Sequence, residues 1–248
     1  MLHTFFFSPS NTTRKYAEAM TDAFGGQSGL IDLTHRTDKT NYDLKDGDTV
    51  LFLSPVYAGR IPEMAAKQFR EIDGHGKKAI VAVVYGNRDY DDALLELADI
   101  ASTNGFEVIA AGAFIAQHCI FPKVATGRPD KSDIDIAVDF IKKAKDSELL
   151  DISSIKGNRP YKKPGTVTLR PQTDEKSCHS CGVCVRECPT GAIDPMSLST
   201  DKDVCITCCR CIAVCDSNAR IFKGIMYSTV SKIFCAQNSR HREAEFFL

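Results

Sequence analysis

Five short apolar runs alternate with stretches of helical period over the first 150 residues. Residues 2–7, 30–33, 49–54, 78–85 and 107–114 read as strands, and residues 13–24, 62–71, 91–104 and 132–149 as helices. Pro62 suits a first helical turn, and Ser132 and Asp133 suit a helix start. The strands are apolar throughout rather than alternating, which is what a parallel sheet covered on both faces requires. The pattern predicts an α/β, doubly wound, five-stranded parallel sheet of order 2-1-3-4-5. Ligands of such a sheet bind beyond the carboxyl ends of the strands, where the order switches between strands one and three.

Composition narrows the class. The chain has 248 residues, 43% hydrophobic and 25% charged, ordinary values for a folded chain and far from disordered or fibrous ones. No apolar run approaches the roughly 18–20 residues that a helix needs to cross a bilayer, so no membrane span is expected. The first residues carry neither a basic region nor a small-residue cleavage site, and a cytoplasmic location is expected. With 31 basic against 32 acidic residues, the charge balance gives no case for nucleic acid as a partner.

Nine of the eleven cysteines lie between Cys178 and Cys215. They form two runs of spacing C-x2-C-x2-C-x3-C, the pattern of bacterial iron-sulfur sites: Cys178, Cys181, Cys184, Cys188, then Cys205, Cys208, Cys211, Cys215. Steps of three residues let one loop wrap a cubane, while the fourth cysteine reaches the other cluster. The expected ligands are therefore crossed. Cys178, Cys181, Cys184 and Cys215 hold one [4Fe-4S] cluster, and Cys205, Cys208, Cys211 and Cys188 hold the second. Cys209 is left as a packed thiol. Disulfides would suit a secreted domain, and structural zinc uses CxxC pairs with a longer spacer, whereas each run here offers four thiolates. Pro189 closes the first run, and Asp216 stands where the second would have its proline.

Residues 190–193 and 218–221 end the two halves alike, so the segment is an internal repeat. Residues 171–222 resemble the two-cluster bacterial ferredoxins. The loops after strands one, three and four resemble those of flavodoxins, and residues 2–222 as a whole resemble the flavodoxin-ferredoxin fusion proteins of anaerobic bacteria and archaea. That resemblance implies a flavodoxin-like domain over residues 1–150 and a smaller ferredoxin-like α+β domain over 171–224. Residues 151–170, rich in proline and basic residues around Asn158, Pro160, Lys162, Lys163 and Pro164, read as a linker. The helical spacing of Ile225, Met226, Val230, Ile233 and Phe234 makes 225–248 an amphipathic tail that docks back. The resemblance also implies FMN. Ser8, Ser10, Asn11, Thr12 and Thr13 would form the phosphate turn before a helix, where orphan amides favour an anion. Asn11 stands where flavodoxins usually have glycine, and asparagine tolerates the left-handed backbone. Pro55, Val56, Tyr57, Ala58 and Gly59 would lie against the isoalloxazine. Gly86, Asn87 and Arg88 would meet its edge, with Tyr90 stacked on it. Taken singly, Tyr57 and Tyr90 read equally well as packing residues.

A flavin and two clusters in one chain make an electron path, since clusters carry single electrons and a flavin one or two. The expected function is electron transfer between the clusters and FMN, with redox proteins as partners and no catalytic residues. An alternative is an FMN-dependent reductase of a small organic acceptor, for which His118 and Cys119 could supply a proton donor or thiol. A third is a sensor module that uses the first domain for docking. Arg186, Lys202, Arg210 and Arg220 either offset cluster charge or are solvated.

Overall fold

The computed structural model describes residues 1–35, 42–165 and 167–248. Strands β1 (Leu2–Phe6), β2 (Ser28–Asp32), β3 (Thr49–Pro55), β4 (Lys78–Tyr85) and β5 (Glu107–Ile115) are parallel and run in the order 2-1-3-4-5. Successive side chains leave a strand on opposite faces, so each strand feeds two cores. Phe5, Val50, Phe52, Val81 and Val83 pack beneath α2 (Glu63–Phe69) and α3 (Ala93–Thr103). Leu2, Phe6, Leu51, Leu53 and Ile80 pack beneath α1 (Thr12–Phe24) and α4 (Lys131–Ala144).

Three features depart from the sequence expectation. The sheet has a sixth strand among the described residues, because the end of the chain returns as β8 (Glu245–Phe247), antiparallel to β5. It covers an edge that would otherwise offer unpaired N–H and C=O groups. Phe246 stacks on Phe140 with ring centroids 5.2 Å apart. Next, α4 is capped by Asp130, whose side chain accepts from the Asp133 N–H while Asp133 returns the bond, so Ser132 is inside the helix. Finally, residues 155–162 do not hang free. Asn158 and Lys162 donate backbone N–H groups to Asp92 at 2.9 and 2.7 Å, and Arg159 Nε donates to Asp99 at 2.9 Å. The acidic start and flank of α3 thus hold the basic segment against the first domain.

The cysteine-rich part is small. A two-stranded ribbon, β6 (Gln172–Thr173) with β7 (Arg220–Ile221), closes it, and each cysteine run carries one short helix, α5 (Val183–Arg186) or α6 (Arg210–Ala213). The last helix, α7 (Ile225–Gln237), then crosses back: Tyr227 Oη donates to the Ile120 carbonyl at 3.0 Å, and Phe234 stacks on Phe121.

Candidate functional site

At the carboxyl ends of the strands lies a cleft with about 980 Å³ of empty space, part of it open to solvent. The loop after β1 contributes Ser10 and Thr12, that after β3 contributes Pro55 to Gly59, and that after β4 contributes Gly86 and Arg88. All three loops expected from sequence therefore meet. Asn11 holds φ 64, the left-handed conformation the turn needs, at the N-cap of α1. Ser8 lies beneath the turn, its Oγ accepting from the Arg14 N–H at 2.9 Å, and Thr13 is buried. Since the first N–H groups of a helix have no partner inside it, those of Thr12 and Thr13 remain for an anion. Ala58 and Gly59, at φ 52 and 87, form the centre of a tight turn closed by Tyr57 and Arg60. A side chain at Gly59 would put its Cβ 2.2 Å from Asp91 Oδ2.

Two expected flavin contacts are placed elsewhere. Tyr90 is buried in the core rather than lining the cleft, with its Oη donating to Glu245 Oε2 at 2.6 Å and its ring edge-on to Tyr85. Asn87 is buried too, and its amide donates to the carbonyls of Asn238 and Arg240, both at 2.9 Å. The returning tail takes both residues.

Other residues complete the cleft. Gln117, His118 and Cys119 come from the loop after β5, Val167 and Leu169 from the segment leading into the cysteine-rich part, Ile206 and Thr207 from that part, and Phe234 from α7. Only His118 and Cys119 carried a signal in the sequence; the rest, Gln117 apart, are ordinary apolar or hydroxyl residues brought in by the tertiary fold. Burial holds His118 below its ordinary 6.5, at about 4, with Arg88 acting in the same direction. Its Nδ1 accepts from the N–H groups of Ile120 and Phe121, both at 3.2 Å, so the ring is neutral and anchored rather than a ready acid. Tyr57 Oη is buried with no hydrogen-bond partner among the described residues. Burial first, then the thiols of Cys208, Cys119 and Cys209, push its pKa well up and keep it a neutral phenol.

The cysteine runs are brought together in crossed fashion. Cys178, Cys181, Cys184 and Cys215 line one cavity with about 330 Å³ of empty space. Burial pushes the Cys208 thiol up to about 12, the Arg210 N–H opposing and the thiols of Cys211, Cys188 and Cys205 adding to the rise. The repeat shows in the sulfur contacts. Ser180 and Thr207 donate N–H groups to Cys178 and Cys205, both at 3.4 Å, and Ala192 and Ala219 donate to Cys188 and Cys215 at 3.3 and 3.2 Å.

Arg220 is the most telling neighbour. Only 2% exposed, its guanidinium donates to Thr173 Oγ1 at 2.7 Å, to the carbonyls of Leu198 and Pro171 at 2.8 and 3.2 Å, and to Thr200 Oγ1. Among the described residues these partners are all neutral. Its charge opposes the rise that burial imposes on Cys184 and Cys211, one thiol from each set. A buried cation between two groups of four thiols fits an anionic centre on either side, because a buried charge without a counter-charge is strongly unfavourable. Among the described residues no three His, Cys, Asp or Glu side chains converge on the position of a single metal ion. The thiols of the first set stand instead around a cavity.

The two halves touch through Arg210. Its Nη1 lies 3.3 Å from both the Pro9 carbonyl and Asn11 Oδ1, and its Nε donates to Glu187 at 3.0 Å. A second cleft joins Tyr57 and Ala58 to Cys205, Ile206 and Thr207. The set containing Cys205 is thus the one beside the loop after β3.

Residues 171–194 match a family model described as a 4Fe-4S binding domain. The match takes in the first cysteine run; the second run, at 205–215, lies beyond it. No curated protein matches the chain. Among solved structures, oxidised flavodoxin 1 from Bacillus cereus is similar at 17% identity and a TM-score of 0.43, covering 58% of this chain and 95% of that one. A short-chain flavodoxin associated with a non-canonical PDU bacterial microcompartment is similar at 18% identity and a TM-score of 0.44, covering 57% and 95%. The rubredoxin oxygen:oxidoreductase from the anaerobe Desulfovibrio gigas is similar at 15% identity and a TM-score of 0.41. There 58% of this chain is covered but only 35% of that one, so this chain spans about a third of that protein. The doubly wound order itself rests on the hydrogen-bonded register of the strands. The doubly wound sheet and the segment that matches a 4Fe-4S binding domain thus stand in one chain.

Proposed function

We propose that the chain carries two [4Fe-4S] clusters and one FMN and transfers electrons between them and redox partner proteins. Cys178, Cys181, Cys184 and Cys215 hold one cluster, and Cys205, Cys208, Cys211 and Cys188 hold the other. The loops of Ser10 and Thr12, Pro55 to Gly59, and Gly86 with Arg88 hold the flavin. Bound there, the clusters supply one-electron steps and the flavin one- or two-electron steps.

The observation that carries this reading is the shared wall of the cleft. Ile206 and Thr207 lie between Cys205 and Cys208, and both line the same cleft as the three sheet loops. Short cluster-to-flavin separation is thereby built into the chain. Arg220 offsets the negative charge of the clusters, and the N–H donors to the cysteine sulfurs do the same locally, both of which raise a cluster's potential. His118 and Phe234 line the same cleft, their rings edge-on with centroids 4.8 Å apart.

An anaerobic reductive titration tests the reading. Two clusters taking one electron each and a flavin taking two require about four electrons per chain. A total of two, with cluster bands bleached and no flavin band present, overturns it.

A further inference from the structure

The spacing of Ile225, Met226, Val230, Ile233 and Phe234 predicts a helix that docks back, and of the five only Phe234 does so. Phe234 and Tyr227, seven residues apart, face inward: both rings stack on Phe121, and Tyr227 stacks on Phe222 as well. The other four face outward. Ile225 is 88% exposed, Met226 62%, Ile233 53% and Val230 39%. Met226, Val230 and Ile233 stand at steps of four and three, so they share one side of α7, and the exposed Thr229 and Ala236 extend that side without adding charge. The helix is thus apolar on two sides, one of them uncovered among the described residues. A contiguous exposed apolar surface of this kind marks an interaction site.

The charge around the stripe selects the partner. Lys232 stands at its edge, Lys223 just before the helix and Arg240 just after it, all three exposed. Lys123 is exposed on the loop that carries Phe121. No Asp or Glu occurs from Ser217 to Arg242 or from Val108 to Pro129, the stretches that hold α7 and the loop it packs on. The whole chain has 31 basic against 32 acidic residues, so the excess belongs to this face and not to the composition. A second copy of the chain fits such a face poorly. Pairing α7 with its own copy would bring the cations together, and four partly exposed side chains supply only a few hundred Å², against roughly 800 Å² per partner in a stable dimer.

We propose that α7 seats the protein on an anionic lipid surface. The apolar stripe enters the headgroup region, and Lys223, Lys232 and Arg240 meet the lipid phosphates. Phe234, on the opposite side of the helix, lines the cleft, so the seated chain holds that cleft one helix diameter, about 10 Å, from the lipid. The inference concerns the outer side of one helix and does not depend on which groups the cleft or the cysteines hold.

The test is co-flotation of the anaerobically isolated chain with vesicles of phosphatidylcholine alone or mixed with phosphatidylglycerol, at low and high salt, with iron assayed in every sample. The expected result is binding to the mixed vesicles that falls as salt rises, and little binding to phosphatidylcholine alone. M226Q/I233Q, changed only on the exposed side, is expected to lose at least about tenfold in partitioning, with iron and melting temperature unchanged. K232Q, which removes one cation at the edge, loses roughly fivefold. Absence of binding to the mixed vesicles overturns the proposal. So does equal binding by M226Q/I233Q, or binding indifferent to headgroup charge. Sedimentation equilibrium without lipid covers the remaining occupant: a dimer that M226Q/I233Q dissociates assigns the stripe to a second copy and overturns the proposal too.

Discussion

Arg210 stands 3.3 Å from Asn11 Oδ1 although 199 positions separate them in the chain. A residue between two proposed cluster ligands therefore steadies the turn proposed to hold the FMN phosphate. The other edge of the same guanidinium is held by Glu187, the neighbour of Cys188. Replacing it with R210A removes these bonds at once. A hydrogen bond to a charged group contributes about 1–2 kcal/mol, so FMN affinity is expected to fall roughly 5- to 30-fold. Fluorescence-quenching titration measures the loss, with iron content unchanged. R210K recovers little of it, because a point charge cannot make the forked contacts of arginine. Unaltered affinity in R210A contradicts the coupling of the two halves.

Tyr57 gives a prediction whose sign depends on the flavin. Its hydroxyl is buried without a hydrogen-bond partner among the described residues, and such a group costs about 1–3 kcal/mol. Y57F is expected to stabilise the flavin-free protein by about 1 kcal/mol in a denaturant titration. If a bound group in the cleft accepts from that hydroxyl, the same change weakens FMN binding. Effects of one sign in both measurements contradict this account of the orphaned hydroxyl.

Arg220 should set cluster potentials more than flavin affinity. Its charge lies beside thiols of both sets, and replacing it with a neutral group leaves each reduced cluster less stabilised. In R220Q both midpoint potentials are expected to move down by tens of millivolts, followed by anaerobic titration with spectroscopic detection. Loss of iron in this variant would locate the effect in folding instead, and R220K, which keeps the charge, separates the two.

The His118 ring predicts a direction of pH dependence. Its pKa of about 4 lies below the ordinary 6.5, so between these values the unfolded chain takes up a proton that the folded chain does not. The stabilisation is complete above about 6.5 and is lost progressively as pH falls towards 4. The melting temperature should drop across that window. In H118N, whose side-chain oxygen can accept in place of Nδ1, the drop should be shallower. Equal slopes in both proteins contradict the assignment.

Much of this architecture is legible from residues alone, for physical reasons. The strands were readable because Leu51, Phe52 and Leu53 must feed two cores from one strand, which leaves an unbroken apolar run. The cysteine runs were readable because ligand spacing is a local property of the chain. Neither reason extends to the returning tail. Glu245, Phe246 and Phe247 are too few to show a period, yet they pair with β5 and claim Tyr90, a residue whose place in a loop after a strand otherwise suited a flavin contact. Asn87 was lost to the same tail. Ile206 and Phe234 are ordinary apolar residues whose place in the cleft is decided by tertiary packing. The strap at Asn158 and Lys162 reads as a linker because its partner, Asp92, is about 70 positions away.

The central claim is that one chain holds two four-iron clusters and a flavin, with the Cys205 set beside the flavin's cleft. Quantifying flavin, iron and acid-labile sulfide in protein purified without oxygen tests it most directly. The account predicts one FMN with about eight iron and eight sulfide per chain. Full iron with no flavin, even after FMN is added back, would contradict it and leave a two-cluster module joined to a sheet that binds something else.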